Sequence, residues 1–242
     1  MDFNKACRFV FDDKQWISKL LIGVLMSVLS FLFLPALILQ GYLVKIVRQV
    51  MGGTDNELPE WTDWGKLLAD GFWVTVAQII WTLPFMLVFI IGGVVTGGLG
   101  SLAEGGSDAA AAGAMGGGFL MLCLGLLFAV AFLFLTPALL IQYAIKDRFG
   151  AMFAFGEVFD IICNRSADIL IAFLVTLVAV IAIALVTGVL SIIPCLGWIA
   201  AAIIGLAMGP YITFITGHLY GQIARKVGGG KAAVYDQGSN LV

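Results

Sequence analysis

Lys and Arg are missing from two long stretches of this chain, residues 67–145 and 166–224, and basic residues close each stretch at both ends. A mostly apolar stretch of that length reads as two membrane crossings that leave the basic side and return to it. The pattern predicts an all-α, polytopic membrane protein built as one transmembrane domain over residues 1–242. It constrains the topology far more than the activity.

Composition agrees. Hydrophobic residues make up 61% of the 242 and charged residues 12%, against about 25% charge in a soluble domain. No polar stretch is long enough to enclose a separate soluble core. Asp12 and Asp13 stand before the first apolar run, and no small-x-small site follows it, so the first segment is expected to be retained rather than cleaved.

Four runs are long enough to span a bilayer, roughly 71–95, 118–142, 168–193 and 197–220. The connections 96–117 and 191–197 lack Lys and Arg and belong on the outer face, the first as a flexible Gly- and Ala-rich loop with Gly93–Gly97 as a close-contact pair. Segments 45–66, 143–165 and 221–242 carry basic residues and belong in the cytoplasm. The implied location is a cytoplasmic membrane, with the C-terminus on the cytoplasmic side.

The first apolar run, 20–44, is ambiguous. One crossing would put Lys5, Arg8, Lys14 and Lys19 outside, against the positive-inside rule. A short bent hairpin from about Ile17 to Val50, broken near Ser30–Pro35, keeps them inside; a single span with an external N-terminus is the alternative. Pro35 would remove a backbone donor at the break.

An internal repeat favours the hairpin. Residues 31–40 read Phe-Leu-Phe-Leu-Pro-Ala-Leu-Ile-Leu-Gln, and 132–142 read Phe-Leu-Phe-Leu-Thr-Pro-Ala-Leu-Leu-Ile-Gln. Each leads to a tyrosine (Tyr42, Tyr143) and a lysine (Lys45, Lys146), and a weaker copy follows Pro210. Three related helical units are expected, about 15–50, 58–148 and 149–227, with helix breaks at Pro35, Pro137 and Pro210. Two pieces have helical amphipathic spacing, Leu58–Phe72 and Phe149–Asn164, and are expected to lie in the interface plane. Trp16, Trp61 and Trp64 are the expected interfacial anchors.

The most specific physical signal is a seam on the last helix. Gly197, Ala201, Gly205, Gly209, Thr213, Gly217 and Gly221 recur every four residues. Small residues at that period let a second backbone come close, which is how helices associate where lipid removes the hydrophobic incentive. The seam suits either packing inside the chain or a groove for a homodimer or another membrane protein. Gln40, Gln142 and the lone histidine, His218, are candidates for a polar pathway or for structural hydrogen bonding.

Little else carries chemistry. The cysteines (Cys7, Cys123, Cys163, Cys195) lack metal-ligand spacing and read as small hydrophobes. The Gly-rich segment 92–118 lacks the Gly-Lys-Ser/Thr end that phosphate binding needs. Asp63, Asp70, Glu157 and Asp160 read as solvated helix faces. No cofactor, metal or catalytic residue is expected, nor a nucleic-acid partner; the bilayer is the expected environment. An accessory or scaffold role fits best, with a transporter, channel or lipid-handling role as the alternative.

Gly41-Tyr42 and Lys45/Arg48 lead into Leu58-Pro59-Glu60-Trp61, Asp63-Trp64, Leu67-Leu68 and Asp70-Gly71. This resembles the prokaryotic integral-membrane family catalogued as domain of unknown function 4013, most sharply over about 35–85. The resemblance implies a bacterial or archaeal inner-membrane location, and neither catalytic residues nor a substrate.

Overall fold

The computed structural model describes residues 2–103 and 108–228, with side-chain surroundings left aside for 98–114. Among the described residues seven α-helices follow one another: α1 (Phe3–Asp12), α2 (Trp16–Val28), α3 (Leu34–Met51), α4 (Trp64–Ala103), α5 (Asp108–Lys146), α6 (Phe155–Leu190) and α7 (Leu196–Gly228). Short 3₁₀ turns, Leu29–Leu32 and Phe149–Phe153, precede α3 and α6. Among the described residues there is no strand. Helices α3 to α7 are long and apolar enough to cross a membrane.

The first unit folds back on itself. The chain reverses at Phe33, which adopts a positive φ of 66°, and Pro35 then stands in the first turn of α3, where its missing N–H costs no helical bond. Both feet of the unit rest on the loop between α3 and α4: Lys19 Nζ donates to the Leu58 carbonyl at 2.7 Å, and Lys45 Nζ to the Glu60 carbonyl at 2.7 Å. The N-terminus and Met51 therefore lie at one end of the bundle, as a hairpin requires and a single span does not. Helix α1, absent from the sequence expectations, is bent 99° from α2 and its 3₁₀ extension. Its Ala6, Phe9 and Val10 are buried, and the Asp2 side chain caps it by accepting the Lys5 N–H at 3.0 Å.

Helices α4–α5 and α6–α7 form two longer hairpins. At 1.5 Å per residue α4 is about 60 Å long, twice the roughly 30 Å of a hydrocarbon core. The core sits at the basic end only. Buried residues cluster in α3 between Leu37 and Val50, in α5 between Leu135 and Ala144, and in α7 between Pro210 and Ala224. Toward the far end Ile90, Val94, Leu126, Leu185 and Ile203 are all exposed, as suits helices solvated by lipid.

Several expectations change. Segment 96–117 is not a loop: α4 is helical to Ala103 and α5 resumes at Asp108, leaving only 104–107 outside the described residues. Contact between the pair offsets the helix cost of glycine, about 1 kcal/mol each: a Cβ on Gly92 would strike Met121, and one on Gly117 would fall 2.5 Å from Thr96 Cγ2. Gly93 and Gly97, the pair expected to do this, face open space. Leu58–Asp63 is not helical, and α4 begins only at Trp64. Of the three expected proline breaks only that at Pro35 coincides with one; Pro137 and Pro210 lie inside continuous helices, because one lost bond is outweighed by long helical flanks packed on their neighbours. The break in α6 falls instead at Arg165, with φ −125° and ψ 15°. It divides the amphipathic piece Phe155–Asn164 from the apolar span.

Candidate functional site

The non-helical strap 54–63 cannot satisfy its own backbone, so side chains from the turn between α1 and α2, from α2 and from α3 do so. Asp13 Oδ2 accepts the Leu58 N–H at 2.9 Å and Lys19 Nζ at 2.7 Å. Lys19 also meets the Leu58 carbonyl and, at 2.8 Å, Glu60. The Tyr42 hydroxyl donates to the Pro59 carbonyl at 2.8 Å, and Gln49 Nε2 to the Glu57 carbonyl at 2.6 Å. Trp61 lies flat on Tyr42, ring centroids 3.7 Å apart and 5° from parallel, while its Nε1 donates to the Lys19 carbonyl at 3.1 Å. Trp61 is thus buried inside protein and is not a headgroup anchor; Trp64, beside it, is exposed. Trp16, partly buried, meets Phe11 edge-on at 5.1 Å.

Burial alone would raise the carboxyl pKa of Asp13, but its hydrogen bonds to Lys19 and to the Gln15 and Leu58 amides outweigh that and hold it below the ordinary range. Asp55 behaves likewise: burial opposes the charge, and Lys5 at 3.0 Å with Arg225 at 3.4 Å overcomes it.

The strap leads into two backbone contacts between α3 and α4. A Cβ on Gly41 would overlap the Leu67 carbonyl, and one on Gly71 the Leu37 carbonyl, so each must be glycine for the helices to approach this closely. Asp70 is buried rather than solvated: it accepts from Arg48 Nη1 at 2.5 Å and from the Tyr143 hydroxyl at 2.8 Å. Arg48 also reaches Asp147 at 2.6 Å, tying α3 to the end of α5. Every residue type in the Gly-Tyr, Leu-Pro-Glu-Trp and Asp-Gly pattern thus has a structural partner at the basic end.

The seam on α7 divides in two. Its inner part is taken by α3: a Cβ on Gly217 would sit 3.0 Å from Leu43 and Ile46 side chains, and one on Gly221 would sit 2.5 Å from Val50. Helix α2 covers the next turn, with Gly23 against Pro210 and Phe214. The outer part is open. Gly205 has nothing within 4 Å of its Cβ position, Gly209 has only Ser27 Oγ at 3.9 Å, and Ala201 is partly exposed. Thr213 turns its hydroxyl to the Gly209 carbonyl at 3.0 Å, and Gly197 packs on its own preceding turn.

The three polar candidates are not gathered about one path. Gln142 is buried and donates to Glu157, which also pairs with Lys146; Gln40 is half-buried on α3. His218 is fully buried, its ring 4.6 Å from that of Phe9. The Gln222 amide accepts the Asp2 N–H at 2.8 Å and donates to the Asp2 carbonyl at 3.0 Å, which directs its second N–H to His218 Nδ1 at 3.1 Å. The ring therefore carries its proton on Nε2, which has no partner among the described residues. These bonds dock α1 on α7. Spacing along the chain offers no signal for Asp13, Gln49, Asp55 or Arg225, whose partners are brought by the fold.

An all-α bundle with five helices able to cross a membrane, and with the Lys and Arg of its described residues gathered at one end, is a multi-pass membrane protein. A family model described as "Protein of unknown function (DUF4013)" matches residues 24–196, and the chain belongs to that family. No curated protein and no solved structure matches the chain. The family match ends before the open part of the seam and before His218.

Proposed function

We propose that this protein is a non-catalytic scaffold or accessory subunit of a prokaryotic cytoplasmic membrane, which associates with a second copy or another membrane protein through the outer part of α7. The observation that carries this reading is the division of the seam. Where the small residues meet α3 they are used within the chain; at Ala201, Gly205 and Gly209 the same four-residue period continues with an open face. The polar groups at the basic end support it too, since the Asp13, Lys19, Tyr42, Arg48 and Asp70 side chains are engaged in holding the strap and helices. In this reading the basic end faces the cytoplasm, which the positive-inside rule supports.

The test compares Gly205→Leu with the wild type, both gently extracted with their own lipids and examined by native mass spectrometry. The wild type should run as a defined dimer or with a stoichiometric second protein, and Gly205→Leu should lose that species while keeping its thermal midpoint. A monomeric wild type, or assembly unchanged by the substitution, would overturn the reading.

A further inference from the structure

The break in α6 opens a polar hollow between α6 and the end of α7. It is an open hollow of about 390 Å³, lined by Asp160, Ile161, Asn164, Arg165, Lys226 and Val227. Residues 169–224 contain no charged residue, so this hollow holds the last charges before the apolar run begins, at the depth of lipid headgroups. Exposed Ile171 and Val178 follow Asp168 at helical spacing along α6.

Two features define what would fit. The charges are balanced and separated: Arg165 and Lys226 supply cations, and Asp160 and Asp168 supply carboxylates. Lys226 Nζ meets Asp168 at 2.8 Å, and Arg165 Nη2 donates to the Lys226 carbonyl at 3.1 Å while Nη1 stands 3.8 Å from Asp168. Most of the guanidinium donors and two of the three ammonium donors remain available. Asp160 is exposed, takes a hydrogen bond from Asn164 Nδ2, and pairs with no cation among the described residues.

We propose that this hollow binds the headgroup of an aminophospholipid. The phosphate lies against Arg165 and Lys226, the primary ammonium donates to Asp160 and to the Asn164 side-chain carbonyl oxygen, and the acyl chains run along exposed Ile171 and Val178 of α6. A phosphate alone would leave Asp160 repelling it, and a choline headgroup has no N–H to donate. The site does not depend on association through α7.

Native mass spectrometry of the full chain from detergent micelles, with phosphatidylethanolamine, phosphatidylcholine or inorganic phosphate added, tests this. The wild type should retain phosphatidylethanolamine about tenfold more than phosphatidylcholine, as one charge-assisted hydrogen bond allows. Asp160→Asn should bring the two near parity. Lys226→Ala should weaken both, and Lys226→Arg, which keeps the Asp168 pair, should restore them. Equal retention of the two lipids by the wild type, or an undiminished preference in Asp160→Asn, overturns the proposal. Displacement of the lipid by inorganic phosphate at equal concentration would also overturn it, reassigning the hollow to free phosphate.

Discussion

Asp13 and Lys19 form a buried ion pair, 2.7 Å from carboxylate oxygen to ammonium nitrogen, and both also bind the backbone of Leu58. The pair links the turn between α1 and α2, and the start of α2, to the strap, so that two segments distant in sequence share one polar contact. Asp13→Asn would leave the ammonium with only the solvent-exposed Glu60 carboxylate. Loss of one member of a buried pair costs about 3–5 kcal/mol, and the exposed Glu60 places this case toward the lower figure. Asp13→Asn should lower the thermal midpoint in detergent, and Asp13→Asn with Lys19→Met should recover part of the loss. An unchanged midpoint in the single variant would show that the pair contributes nothing.

The same carboxylate sets an acid limit. Its pKa is lowered from 3.8 in the folded chain, so the unfolded chain binds the proton first as pH falls. The stabilisation is fully present above the unfolded value and disappears as pH drops through the folded one. Between pH 5 and 3 the wild type should lose more stability than Asp13→Asn, measured as midpoint against pH. Parallel curves would assign the acid loss elsewhere, Asp55 being the next carboxylate held low.

Tyr42 does two separable things. Tyr42→Phe keeps the stack on Trp61 but leaves the Pro59 carbonyl without its donor, at about 1–3 kcal/mol. Tyr42→Ala also opens a cavity beneath Trp61, for about 3–5 kcal/mol. Equal losses would mean that the ring contributes little, and the Trp61 fluorescence of the two variants should differ accordingly.

The glycines of α3 and α4 permit a sharper contrast. Gly41→Ala or Gly71→Ala drives a methyl into a backbone carbonyl of the facing helix, and neither carbonyl can turn aside. Gly65→Ala, six residues before Gly71 on α4 and with open space around it, should be neutral or gain up to about 1 kcal/mol from helix propensity. Yield of folded protein and thermal midpoint would rank them. Similar behaviour of Gly41→Ala and Gly65→Ala would contradict the close approach of α3 and α4.

The long-range pattern of charge made the all-α, multi-span class and the basic end legible before any coordinates, because desolvation acts on whole segments and is read by counting. The first apolar run stayed open between a hairpin and a single span. Other features were hidden. Leu58–Phe72 has helical periodicity, yet Asp13, Lys19 and Tyr42 hold its first part extended, and no local spacing announces donors from other segments. Helix α1 is short and charged and is held by packing on α7 through Phe9 and His218. The glycines between 92 and 117 look like a loop until a paired helix makes close contact useful. For the seam, the period was visible in the sequence, but which turns α3 would occupy depended on the crossing of the two helices.

The free cysteines report the orientation without any engineered residue. Cys163 is exposed next to the break in α6, at the basic end, and Cys195 is exposed in the turn joining α6 to α7 at the far end. Cys123 is exposed in the apolar middle of α5, where lipid would cover it, and Cys7 is partly buried against α7. With the basic end in the cytoplasm, a membrane-impermeant maleimide added to right-side-out vesicles should modify Cys195 and spare Cys163 until the membrane is permeabilised. Cys123 should stay unreactive in both states, since a charged, water-soluble maleimide does not enter the hydrocarbon around it. Peptide mapping of the labelled chain separates the sites. Labelling of Cys163 before permeabilisation and of Cys195 only after it would invert the protein in the membrane. Labelling of both from one side would contradict the α6–α7 crossing itself.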